Sequence, residues 1–97
     1  MTVAGLYAWD ERKRASNLRK HGVDLAIVRD FDFATALVLR DDRKDYGEDR
    51  FRAYGAIRGR LYALVFTRRD GKVRVISLRK SNAREIANYA ASKTSKT

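Results

Sequence analysis

The chain has 97 residues, no cysteine, a single histidine and a formal net charge of +10. Disulfides and thiolate metal sites are therefore excluded, and an all-histidine metal site cannot be built within one chain. No apolar run reaches the roughly 18 residues that a membrane span needs, and no basic-then-apolar leader pattern opens the chain, so a single cytoplasmic domain over residues 1–97 is expected, with no cofactor.

The charge is unevenly placed. Residues 1–48 carry nine Lys/Arg and nine Asp/Glu, whereas residues 49–97 carry thirteen Lys/Arg against three Asp/Glu. A one-sided cationic field attracts polyanions such as nucleic acid, an acidic protein or an anionic membrane surface. No stretch is both strongly basic and strongly amphipathic, so a membrane-surface role is the weakest of these.

In chain order, Leu6 to Trp9 reads as a short strand. Asp10 is a helix N-cap and Glu11 sits where the helix dipole favours an acid. The helix is expected to run to Lys20, with Ala15 and Leu18 facing inward over Trp9 and Gly22 as a left-handed C-terminal cap. Asp24 caps a second helix carrying Leu25, Val28 and Phe31 at helical spacing, with Phe33 continuing that cluster. Ala36 to Leu39 is a candidate strand. Arg40 to Asp49 reads as a solvated charged loop. Phe51 to Ile57 is a strand with Phe51, Ala53, Gly55 and Ile57 on one side and Arg52, Tyr54, Ala56 and Arg58 on the other.

Leu61 to Lys80 is the centre of the sheet. Two runs rich in Val, Ile, Leu, Tyr and Phe flank Asp70-Gly71, a strong hairpin signal because both turn positions take positive φ. Alternation places Val73, Val75, Ser77 and Arg79 on one face and Arg74, Ile76, Leu78 and Lys80 on the other. Both faces then read as mostly apolar, so cover on both sides is expected, the second cover being open to a partner chain. Asn82 with Glu85 is a capping box for a last helix whose thin stripe is Ile86, Tyr89 and Ala90, and Ser92 to Thr97 reads as a frayed polar tail. The result is an α+β domain: an antiparallel sheet with two N-terminal helices packed on one face and a short C-terminal helix.

An ordered set of motifs carries a family resemblance across residues 6–90: Trp9-Asp10 with Lys13, Asn17 and Lys20-His21-Gly22-Val23; then Asp45-Tyr46-Gly47-Glu48 with Arg50-Phe51 and Gly55; then Val65-Phe66-Thr67-Arg68 and Arg74-Val75-Ile76-Ser77-Leu78-Arg79-Lys80; then Glu85 and Tyr89. The chain resembles the BrnT toxins of bacterial type II toxin–antitoxin systems. It departs from the family at Leu78, where alanine is usual. The resemblance implies a RelE-like ribonuclease fold, RNA cleavage that stops translation, and neutralisation by a BrnA-type antitoxin. It also implies a toxin dimer bridged by antitoxins, with operator DNA reached only through that complex.

Metal-independent RNA cleavage needs a base for the 2′-hydroxyl, cations for the phosphorane charge and an acid for the leaving 5′-oxygen. A guanidinium fork suits the charged phosphate, and a buried lysine can serve as base or acid. The catalytic candidates are Arg79, Arg68, Lys13 and Glu85. Those for substrate binding are Arg74, Lys80, Tyr89, His21 and Lys20. Five have a structural alternative: an inter-strand ion pair for Arg79, the capping box for Glu85, helix-end stabilisation for His21, core packing for Tyr89, and solvation for Lys13. The expectation for the later strands is that Arg68, Arg74 and Arg79 converge on one concavity. The rival reading is a non-catalytic module that binds nucleic acid or an acidic partner.

Overall fold

The computed structural model describes residues 1–94. Six strands form one sheet in the order β1-β2-β6-β5-β4-β3: β1 Thr2–Ala4, β2 Tyr7–Trp9, β3 Leu37–Arg40, β4 Phe51–Ile57, β5 Arg60–Arg69 and β6 Lys72–Lys80. Helix α1 spans Glu11–His21, a 3-10 helix spans Leu25–Asp30 and helix α2 spans Ala83–Thr94. The class is α+β, as the sequence pattern indicated, with two corrections. The sheet is mixed, because β2 runs parallel to β6. The second N-terminal helix is a short 3-10 segment. The edge strand β1 went unread in the sequence; it pairs with β2 across a turn in which Gly5 takes φ 61°.

Local chemistry sets most element ends. Asp10 accepts from the backbone N–H of Arg12 at 2.7 Å, and Gly22 closes α1 with φ 67° and an N–H donated to the Leu18 carbonyl at 2.9 Å. Arg58-Gly59 and Asp70-Gly71 both carry positive φ at both positions, the geometry whose twist matches the flanking strands. Asn82 and Glu85 exchange reciprocal bonds at 2.9 and 2.8 Å and start α2. Of the tail read as frayed, Ser92 to Thr94 complete α2; residues 95–97 lie outside the described residues.

One face of the sheet carries the core. Ala53, Ile57, Tyr62, Leu64, Phe66, Val75 and Leu78 meet Val23, Leu25, Val28 and Phe31 from the segment after α1. Gly55 is required beneath Phe31, since a Cβ there would sit 2.6 Å from Phe31 Cζ. Helix α1 docks differently from the expected Ala15 and Leu18 stripe: Leu18 is 51 % exposed, and the one buried residue of α1 is Asn17. The Asn17 side chain bonds both backbone groups of Leu78, and Arg14 forks onto Asp24 at 2.8 and 3.0 Å. The helix is thus attached by polar contacts along the stretch of β6 that β2 does not reach.

The faces of β6 also differ from simple alternation. Val65 pairs with Ser77 and the next residue, Phe66, with Val75, so Ile76 is an extra residue on β6. A bulge of one residue inverts the facing of everything beyond it. Val75 and Leu78 therefore share the core face, while Arg74, Ser77 and Arg79 share the opposite, outer face. That face is not a second apolar layer. Helix α2 overhangs it without burying any residue of its own.

Candidate nucleic-acid site on the outer face

The outer face is built in two rows across the sheet. Strand pairing lines up Arg79, Ala63, Tyr54 and Leu37 in one row, and Ser77, Val65, Arg52 and Leu39 in the next. The central strand contributes only alanine and valine, so the long side chains of its neighbours stand around a trough. The trough is a cleft of about 390 Å³ bordered by Arg43, Arg52, Tyr54, Ser77, Arg79 and Arg84, with Glu85 as its one acidic side chain.

Each arginine is held differently. Arg79 donates from both terminal nitrogens to the Glu85 carboxylate, at 2.8 and 2.8 Å. These bonds hold Glu85 below its usual carboxylate range, with help from the Asn82 N–H and against the effect of burial. Glu85 is therefore a charged positioner of Arg79 and, by the same bonds, a weakened proton acceptor. Arg43 reaches the cleft from the loop before β4. It donates to the Asp41 carboxylate at 2.7 and 2.8 Å, and the Asp41 side chain is fully buried. The Arg43 contacts pull the Asp41 pKa down to about 2. That loop is consequently an ordered acid–base network: Tyr46 carries the Arg50 guanidinium over its ring at 4.1 Å, and Arg40 binds Asp42 and Asp49. Arg52 contacts the Tyr54 hydroxyl at 3.4 Å, and its buried Nε has no hydrogen-bond partner. Among the described residues neither Arg52 nor Arg84 forms a direct ion pair, although Arg52 acts electrostatically on Asp41 and Arg84 on Glu85.

Lys13, Lys20 and His21 come together in a second depression of about 290 Å³, with Ser16, Asn17, Ile76 and Ser77. Helical spacing puts Lys13, Asn17 and Lys20 on one side of α1. Ser77 borders both depressions, so the two basic sites flank the same point of β6.

The remaining candidates lie elsewhere. Arg74 is on the outer face but pairs with Thr67, four residues along β5 from Ala63; at about 3.4 Å per residue that is ~14 Å from the Arg79 row. Arg68 is exposed and belongs to the opposite face, beside the Asp70-Gly71 turn. Lys80 is exposed and pairs with Tyr62, also away from the cleft. The expected convergence of Arg68, Arg74 and Arg79 is thus corrected: the guanidinium groups that meet Arg79 are Arg43, Arg52 and Arg84. The Tyr89 hydroxyl donates to the Thr35 carbonyl at 2.9 Å, and its ring borders a neighbouring groove. The signal for Arg52 and Tyr54 was present in the alternation of β4, which set them opposite the apolar face. Arg43 had no such signal inside a charge-balanced loop.

Residues 9–85 match the family described as BrnT, the ribonuclease toxin of a type II toxin–antitoxin system. The chain belongs to this family. The match runs from the end of β2 through α1 and the sheet to Glu85, and so includes every residue of the Arg79–Glu85 pair and both basic depressions. Membership makes the chain a ribonuclease toxin with an antitoxin as its partner. No curated protein that was compared matches it. Among the described residues, no helix is long and apolar enough to cross a membrane.

Proposed function

We propose that this BrnT chain is a RelE-like, metal-independent endoribonuclease, one cytoplasmic domain that arrests translation until a BrnA-type antitoxin covers its cationic face. The observation that carries the reading is the outer-face cleft, where four arginines border a trough with a single carboxylate. A phosphodiester entering it meets Arg79 pre-aimed by Glu85, and Arg52 and Arg84 with no direct ion pair to break. Attack of the 2′-oxygen on phosphorus builds negative charge on the non-bridging oxygens. Fixed guanidinium donors stabilise that charge more than the ground state, which is what lowers a barrier. Glu85 is the carboxylate in place to take the 2′-hydroxyl proton, but the Arg79 bonds reduce its basicity, so its larger contribution is to orient Arg79. Lys13, Lys20 and His21 would hold the RNA on the α1 side of Ser77. Arg68, Arg74 and Lys80 would make peripheral phosphate contacts. Two toxin copies bridged by antitoxins would reach operator DNA only through the antitoxin.

The test is expression of the full chain with and without its antitoxin, together with cleavage of a defined RNA by antitoxin-free protein in the presence of a chelator. Growth arrest and chelator-insensitive cleavage, both lost in Arg79→Ala, are the expected results. Salt-sensitive RNA binding without cleavage would instead establish the non-catalytic binding module.

A further inference from the structure

Beside the arginine cleft lies a second groove of about 250 Å³, bordered by Leu37, Leu39, Tyr54, Asn88, Tyr89 and the shared residues Arg52 and Glu85. Arg52, Tyr54 and Glu85 border both, so the two spaces adjoin. Their chemistry is different. The groove floor is the Leu37–Tyr54 and Leu39–Arg52 rows of the sheet, and Leu39 remains 40 % exposed. Its roof is the side of α2 carrying Glu85, Asn88 and Tyr89, residues spaced i, i+3 and i+4 and so on one face. The Tyr89 hydroxyl is tied to the Thr35 carbonyl, which fixes the roof over the floor. The walls thus offer two aromatic rings, aliphatic side chains and one exposed carboxamide.

We infer that this groove is a nucleobase subsite that holds the base next to the phosphate bound among the arginines. This rests on the ribonuclease reading for the location of that phosphate, and it adds a substrate element that the arginines cannot supply. A planar base buries its faces against Tyr54, Tyr89 and the leucines. The Asn88 carboxamide has both a donor and an acceptor, so it can discriminate base edges in a single strand. A duplex cannot enter, because the base must leave its stack to lie beneath α2. The enzyme therefore takes single-stranded RNA and selects the nucleotide beside the scissile bond.

The experiment uses the full chain and follows its backbone amide resonances on addition of each nucleoside 3′-monophosphate, ribose 5-phosphate and inorganic phosphate. The nucleotides are expected to shift Leu37, Leu39, Asn88 and Tyr89 together with Arg52 and Arg79. The two base-free phosphates shift only the arginine cleft. Base–aromatic stacking predicts that Tyr54→Leu lowers the ratio of nucleotide to ribose 5-phosphate affinity by about 5- to 150-fold. Asn88→Ala, on an exposed helix position, alters the ranking among the four nucleotides. The inference is overturned if nucleotides and ribose 5-phosphate bind equally and shift the same residues, which would leave the groove to another ligand such as an antitoxin segment. Binding is read without turnover. Groove shifts with no RNA cleavage would therefore remove the nuclease reading and keep the subsite, and cleavage without groove shifts would do the reverse.

Discussion

Asn17 completes the hydrogen bonding of Leu78 as a neighbouring strand would. Its carboxamide donates to the Leu78 carbonyl at 2.7 Å and accepts from the Leu78 N–H at 3.1 Å, and it also donates to the Val23 carbonyl at 2.9 Å. Strand β2 stops pairing at Val75, so without Asn17 the buried edge of β6 has no partner there. Asn17→Ala leaves these groups unsatisfied and is expected to cost about 2–4 kcal/mol. Asn17→Asp is no remedy, since a carboxylate cannot donate to two carbonyls. Urea unfolding of both variants checks this; a loss under about 0.5 kcal/mol, the level of an ordinary surface change, would show that the amide is dispensable.

Arg79→Ala is expected to reduce RNA cleavage by about 100-fold or more, the usual effect of removing one fixed oxyanion donor. Because the Arg79 side chain is 38 % exposed, the stability loss should stay below about 1 kcal/mol. Arg79→Lys keeps a charge but loses the fork, and should recover only part of the rate. Single-turnover cleavage alongside a thermal melt separates the two effects.

Glu85→Gln preserves the capping-box acceptor for the Asn82 N–H while removing the charge that aims Arg79. Cleavage should fall while the shape of its pH–rate profile is retained. If Glu85 is instead the general base, the acidic limb of that profile disappears in the variant.

Asp41 sets an acid limit on stability. Its folded pKa, about 2, lies below its ordinary value, so the folded state binds the proton less tightly than the unfolded chain does. Its contribution is complete above about pH 5 and is lost as the pH falls through about 4 to 2. With Arg43 60 % exposed, the size should be about 1–2 kcal/mol after allowance for solvent screening. Denaturation of wild type and Asp41→Asn from pH 7 to pH 2 should show the two curves converging at the acid end.

Gly55→Ala is expected to destabilise by about 1–3 kcal/mol through overpacking against Phe31 and Ala36. For a chain of this size that is a fall in melting temperature of at least about 4 °C. An unchanged melting temperature would mean that the Phe31 ring can withdraw at no cost.

Features encoded within a few residues were legible in the sequence: the Asp10 cap, the Gly22 stop, the Asp70-Gly71 turn and the Asn82–Glu85 box each depend on neighbours in the chain. Features set by distant pairing were not. Nothing local to Tyr7 to Trp9 says that it lies parallel to β6. Nothing within Lys72 to Lys80 marks Ile76 as surplus, because the extra residue is defined only by its count against β5. The site followed the same division. Arg79 and Glu85 were read from their own segments, whereas Arg43 joins them through a loop whose course depends on the burial of Asp41.

The surplus residue at Ile76 gives β6 one point at which its length can change without altering which side chains face the cleft. Deleting Ile76 would join Val75 to Ser77 in the pairings they already hold with Phe66 and Val65, restoring regular pleating with Leu78 still inward and Arg79 still outward. A deletion scan through β6 should therefore be tolerated best at Ile76, whereas removing Leu78 takes a fully buried side chain from the core. A chain shorter by one residue at this point keeps the cations of the later half of β6 on the faces they now occupy.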